Sequence, residues 1–157
     1  MACIRTASSG HEGLALAIGR QLGDAWITAR GLLSEGMIAH RTGDLARAES
    51  LIEESLRLSQ SNGLSVTEYY NVMSLGLVAL ERGDHIRAGE LGAACLELAK
   101  RIGHARGSAN ALYVLARAAV GRGDHLEYNE IAPELAALNP ANVRDALAWY
   151  ATKSDFR

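Results

Sequence analysis

A Gly-Asp pair returns every forty residues along this chain, at 43–44, 83–84 and 123–124, and it constrains the fold more than any other feature. Around it three segments align without gaps. They are "LGDAWITARGLLSEGMIAHRTGDLARAESLIEESLRLSQS" from 22, "NGLSVTEYYNVMSLGLVALERGDHIRAGELGAACLELAKR" from 62, and "IGHARGSANALYVLARAAVGRGDHLEYNEIAPELAALNPA" from 102. Gly23, Gly63 and Gly103 coincide, as do Leu32, Val72 and Leu112, then Ala39, Ala79 and Ala119, and Leu51, Leu91 and Ile131. A period of this length marks stacked supersecondary units, each too small to bury its own apolar face.

Each unit predicts two helices. The first run over 25–42, 65–82 and 106–122, the second over 45–61, 85–101 and 125–137. In the second helix of unit one, Ala48, Leu51, Ile52, Ser55, Leu56 and Ser59 share one side at helical spacing, and Glu49, Glu53, Glu54 and Arg57 share the other. The Ala-, Leu- and Gly-rich composition, with two prolines and one Phe, favours helices. A length of 157 residues suits one domain with a real core.

The joint also answers a question raised by "ERGDHIRA" at 81–88, which contains the Arg-Gly-Asp adhesion tripeptide. Glycine just past a helix end takes the left-handed conformation, and the aspartate after it caps the next helix. Arg82 and Arg122 are then last-turn cations favoured by the helix dipole. Unit one spells Thr-Gly-Asp at the same joint, so the pair is read as punctuation rather than as a ligand motif.

These residues resemble a tetratricopeptide (TPR) repeat. The resemblance is carried by a large apolar residue shortly before Gly36, Gly76 or Ala116, then Ala39, Ala79 and Ala119, the Gly-Asp joint, and Ala48 and Ala88 where helices cross closely. Unit three departs, with Tyr128 at the small position, and closes on Pro140. The long units are similar to TPR-like arrays of LuxR-type maltose regulators and related multidomain ATPases of bacterial signalling. The resemblance implies an all-α, right-handed TPR-like α-solenoid of about three and a half helix-turn-helix repeats. Its expected parts are a flexible N-terminus over 1–10, a half unit over 11–22, units at 23–62, 63–102 and 103–140, a terminal helix at 141–153, and a tail at 154–157. Trp149 and Tyr150 are bulky enough to cap an open end, and a solenoid cut mid-unit leaves room for self-association.

In such arrays the first helices line the concave side. By resemblance the groove positions are Arg30, Leu33, Met37, His40 and Arg41 in unit one. They are Tyr70, Met73, Leu77, Leu80 and Glu81 in unit two, and Asn110, Tyr113, Arg117 and Val120 in unit three. The set expected to bind is Arg30, Met37, Arg41, Tyr70, Met73, Tyr113 and Arg117, with the arginines meeting acidic flanks and the tyrosines and methionines making the central contact.

Several function classes lack support. Net charge is −2 with acids and bases interleaved, so an electrostatic footprint for nucleic acid is missing. No apolar run approaches a membrane span, and "MACIRTASSG" does not read as a secretory signal. Cys3 and Cys95 cannot make a disulfide scaffold, which points to a reducing, cytoplasmic setting. Asp84-His85 and Asp124-His125 look like metal ligands, but one repeat separates them by about 10 Å, too far for one ion. His11, His40 and His104 have no ligand neighbours at the right spacing. No phosphate loop, dinucleotide fingerprint or serine elbow occurs. Glu68, Tyr69 and Tyr70 could move a proton in a closed pocket, though as groove or core residues they need no such role.

The expectation is therefore a non-enzymatic protein–protein interaction module or scaffold without cofactor or metal. It would bind a partner peptide or helix, with homo-oligomerisation open to it, in a bacterial regulatory system. The alternatives are a small-molecule sensor segment of a transcriptional regulator, with a closed pocket near Tyr70 and Tyr113, and a small all-α enzyme or biosynthetic accessory protein.

Overall fold

The computed structural model describes residues 3–138, all of them in helices or the short turns between. The helices are α1 (Cys3–Leu22), α2 (Ala25–Arg41), α3 (Leu45–Ser61), α4 (Ser65–Glu81), α5 (His85–Arg101), α6 (Ala105–Arg122) and α7 (His125–Leu138). The six helices expected within the three units are present, with ends moved by a residue at most. The helix expected over 11–22 begins at Cys3 instead, so the segment expected to be a flexible N-terminus is helical from its third residue. No proline interrupts that stretch. The terminal helix at 141–153, its Trp149 and Tyr150, Pro140 and the tail lie outside the described residues.

One turn is built six times. Gly23, Gly43, Gly63, Gly83, Gly103 and Gly123 all hold positive φ, between 66° and 85°. At the Gly-Asp joints the next amide closes the turn back onto the helix. Asp44 N donates to Ala39 O, Asp84 N to Ala79 O and Asp124 N to Ala119 O, each at 2.9 Å. The aspartate side chains then accept from Arg47 N at 3.1 Å, Arg87 N at 3.0 Å and Glu127 N at 3.0 Å. Asp24 does the same for Ile27 N at 2.9 Å. Leu64 and His104 stand at the equivalent positions between units and supply no side-chain cap.

Both charged ends of the Arg-Gly-Asp triplets are occupied. Arg82 meets Glu49 at 3.0 Å, and Arg122 donates to His85 O at 2.8 Å and pairs with Glu127.

Each helix packs against the next in sequence, and α4 also touches both α2 and α6. Among the described residues α3 and α5 do not meet backbone to backbone. Arg87 on α5 bridges that gap, reaching Glu53 at 3.0 Å and also Glu49. The core follows this layout in four patches. Leu33, Ile52, Leu75 and Val78 fill the space among α2, α3 and α4, and Tyr69, Val72, Cys95 and Ala111 fill that among α4, α5 and α6. Leu80, Ala88, Val114 and Ala118 form a third patch, and Leu112, Leu115, Ala116 and Leu135 a fourth under α7. Tyr128, at the position that is alanine in units one and two, packs against this fourth patch. Small residues let the helices close: a Cβ on Gly36 would lie 2.5 Å from Ile52 Cγ1 and 3.3 Å from the Ala48 carbonyl oxygen.

A buried polar chain ties three helices together. Asn71 Nδ2 donates to Ser59 Oγ at 3.2 Å, Ser59 Oγ to Ser55 O at 2.7 Å, and Ser55 Oγ to Ala29 O at 2.7 Å. α1 leaves Leu14, Ile18 and Leu22 exposed.

Candidate partner-binding face

Most of α4 is buried, ten of its 17 residues, because the helix is covered by α2, α3, α5 and α6. What stays open is one stripe at Val66, Tyr70, Met73, Leu77 and Glu81, spaced four, three, four and four residues apart. The same stripe on α2, forty residues earlier, is Trp26, Arg30, Leu33, Met37 and Arg41. On α6 it is Arg106, Asn110, Tyr113 and Arg117. Because α4 touches α2 and α6, the three stripes lie side by side.

All seven residues expected to bind fall on these stripes. Arg30, Met37 and Arg41 are exposed on α2, and Met37 shows 45% of its surface. Tyr70 is exposed on α4, while Met73 is half-buried and turns its sulfur inward, 3.8 Å from Cys95 Sγ. Tyr113 and Arg117 are half-buried on α6, with the guanidinium carbon 5.6 Å from the ring centre and Nη1 3.4 Å from the phenol oxygen. Arg117 thus covers the Tyr113 ring, and the pair offers one flat cationic surface.

Two groove positions belong to the core instead. Leu33 is 4% exposed among Ile52, Leu75 and Val78, and Leu80 is 5% exposed against Val114 and Ala118. They sit where the first helices turn toward each other, and contact between α2 and α4 and between α4 and α6 closes over them. Trp26, 57% exposed, and Val66, 55% exposed, are face residues that the sequence reading passed over. The signal was available: each lies four residues before an expected site residue, Arg30 or Tyr70, and so on the same helical side.

An aromatic cluster anchors the middle of the face. The Tyr70 ring meets the Tyr69 ring edge-on at 5.0 Å and the His104 ring at 6.3 Å. Tyr69 itself is fully buried, its hydroxyl donating to Gly107 O at 3.3 Å. Burial pushes the Tyr69 phenol up to about 12, and the neighbouring Cys95 thiol up to about 12 as well. Neither group is poised for proton transfer or nucleophilic attack near neutral pH. Near the far end of the face His40 Nε2 comes within 2.8 Å of Glu81 Oε1 without the alignment of a hydrogen bond, and links α2 to α4.

An open cleft of about 720 Å³ lies on the opposite side of α4, floored by Val72 and Leu98. Glu68 on its rim accepts from Gln60 at 3.3 Å and faces Arg101 at 3.5 Å. It is not the closed space expected near Tyr70 and Tyr113, since neither residue lines it. Among the described residues no group of three or more His, Cys, Asp or Glu side chains could hold a metal ion. No described helix is long and apolar enough to cross a membrane. No protein-family model matches the chain, and no curated protein aligns with it significantly.

Proposed function

We propose that the chain is a protein-interaction module that receives a segment of a partner protein across the open stripes of α2, α4 and α6. The carrying observation is the recurrence of exposed apolar side chains at equivalent repeat positions on touching helices: Trp26 and Val66 at one end, Met37 at the other where Leu77 of α4 is half-buried, with Tyr70 between. An exposed apolar patch that spans neighbouring helices marks a candidate interaction site; Leu14, Ile18, Leu22, Ile86 and Leu126 are exposed outside it. Tyrosine, tryptophan and methionine are the side chains that carry such contacts.

The forty-residue period and the contact of α4 with both α2 and α6 support a right-handed TPR-like α-solenoid, in which these stripes form the inner surface. The resemblance to arrays of bacterial regulators supports a place in a cytoplasmic regulatory system. No catalytic role is assigned: Tyr69 and Cys95, beneath the face, are held by burial in their neutral forms.

Photo-cross-linking in living cells tests the reading. A photoreactive residue replaces Met37 or Tyr70 on the face, or Glu90 on the exposed side of α5. The face positions are expected to trap a discrete protein and position 90 to trap none. Trapping from position 90 alone would overturn the assignment.

A further inference from the structure

Charge is spread unevenly among the helices. α3 carries three glutamates against two arginines, and α7 carries Glu127, Glu130 and Glu134 with no Lys or Arg of its own. α6 is the reverse, with Arg106, Arg117 and Arg122 and no acidic residue, and α2 sets Arg30 and Arg41 against Glu35, while α4 carries Glu68 and Glu81 and no base. Two of the three carboxylates on even helices are drawn away from the open face: Glu35 pairs with Arg47 of α3 at 3.3 Å, and Glu68 with Arg101 of α5 at 3.5 Å. Glu81 alone stays beside the face, next to His40. Asp24, at the start of α2, is occupied in capping. Arg30, Arg41 and Arg106 are exposed on the stripes, and none of the three has an ion-pair partner among the described residues.

We infer that the partner segment is an acidic amphipathic helix. Its apolar side lies on Trp26, Val66, Met37 and Tyr70, and its carboxylates meet Arg30 and Arg41. This inference rests on the reading of the face as an interaction surface and adds the chemistry of what binds there. A chain that is slightly acidic overall leaves Arg30, Arg41 and Arg106 without an ion-pair partner among the described residues beside exposed Trp26, Met37, Val66 and Tyr70. Exposed arginines without carboxylates are complementary to a negatively charged ligand. Arg30 and Arg41 are eleven residues apart on α2, about 16 Å along the axis at the ordinary helical rise. A helix laid alongside needs carboxylates at that same separation, with apolar residues between them. Helical backbone on the receiving side has its N–H and C=O groups already paired, so it offers an extended strand no ladder. Side chains must supply the contact, which favours helix against helix. Nucleic acid fits less well, because Val66, Met37 and Leu77 offer nothing to a phosphate backbone.

The test is a selection of random displayed peptides about four helical turns long on the full chain. The R30E/R41E and M37A/Y70A variants are run in parallel, each first shown to be helical by circular dichroism. Wild type is expected to enrich Asp and Glu over Lys and Arg by about fivefold, around apolar residues at helical spacing. R30E/R41E is expected to reverse the charge preference, and M37A/Y70A to lose the apolar register. Peptides without charge bias that still depend on Met37 and Tyr70 would sink the acidic partner and leave the face standing. The same peptides emerging from M37A/Y70A as from wild type would sink both readings. No enrichment at all, or tighter binding of fluorescent oligouridylate that is lost in R30E/R41E, would also overturn the inference, the latter in favour of nucleic acid.

Discussion

At Gly83 the backbone holds φ at 74°, and a β-branched side chain there meets its own backbone. Gly83→Val is expected to destabilise the fold by about 1–3 kcal/mol, read from the urea midpoint. Asp84→Ala removes the oxygen that accepts from Arg87 N and should lower stability by about 1 kcal/mol. Arg82→Ala breaks only the partly exposed pair with Glu49 and should change it by no more than about 1 kcal/mol. This ranking separates a structural joint from an adhesion motif, where Arg82 would matter most. Cys95 and Tyr69 make a different residue-scale prediction. Both are held neutral by burial, with pKa values raised above those of an unfolded chain. The unfolded chain gives up these protons first as pH rises, so their contribution to stability is complete below about pH 9 and is lost as pH climbs through about 12. The urea midpoint should fall across that window, and Cys95→Ala should flatten part of the fall. Labelling of Cys95 by iodoacetamide at pH 8 should require unfolding, and rapid labelling of the native protein would contradict its burial. The role of Cys95 was readable from its place on the apolar side of a helix. Tyr70 was placed on the open side with Met73 and Leu77, at helical spacing, whereas the full burial of Tyr69 against Cys95 and Gly107 comes from α5 and α6.

The helices themselves were legible because amphipathic periodicity and the Gly-Asp punctuation agree about where each one starts and stops. What periodicity does not report is how closely two helices approach. Leu33 and Leu80 fall on the open stripe by angle, yet they are core, because α2, α4 and α6 press together at those heights. Gly36 measures that approach. A methyl group there would overlap Ile52 Cγ1, so Gly36→Ala is expected to destabilise by about 1–2 kcal/mol, despite its gain in helix propensity. Ile52→Val should recover part of that loss when combined with it. A double-mutant cycle that came out additive would show that the two side chains do not compete for the same space. α1 is longer than the repeat implies for the same reason of context: alignment to 51–62 marks only where the repeat can be recognised, and the helix runs on upstream to Cys3.

For the whole molecule, helix contacts are mostly between sequence neighbours, and α4 has the most, touching α2, α3, α5 and α6. Stability in such an arrangement is a sum over neighbours and declines toward the ends. Hydrogen exchange should therefore find α4 most protected and α1 and α7 least, with α3 and α5 between. Equal protection across all seven helices would mean that the chain unfolds as a single unit. The sequence by itself determined the repeat, the six joints, the helical class and the side on which each helix turns its small and apolar residues. These are local matters, decided by backbone conformation at glycine and by the spacing of side chains along one helix. Only the tertiary structure decided which stripe stays open, that Trp26 and Val66 belong to it, and that Glu35 and Glu68 are drawn to the other side while Arg30 and Arg41 have no ion-pair partner among the described residues. Burial and pairing depend on the neighbour across a gap forty residues away, and no pattern within a single helix contains that neighbour.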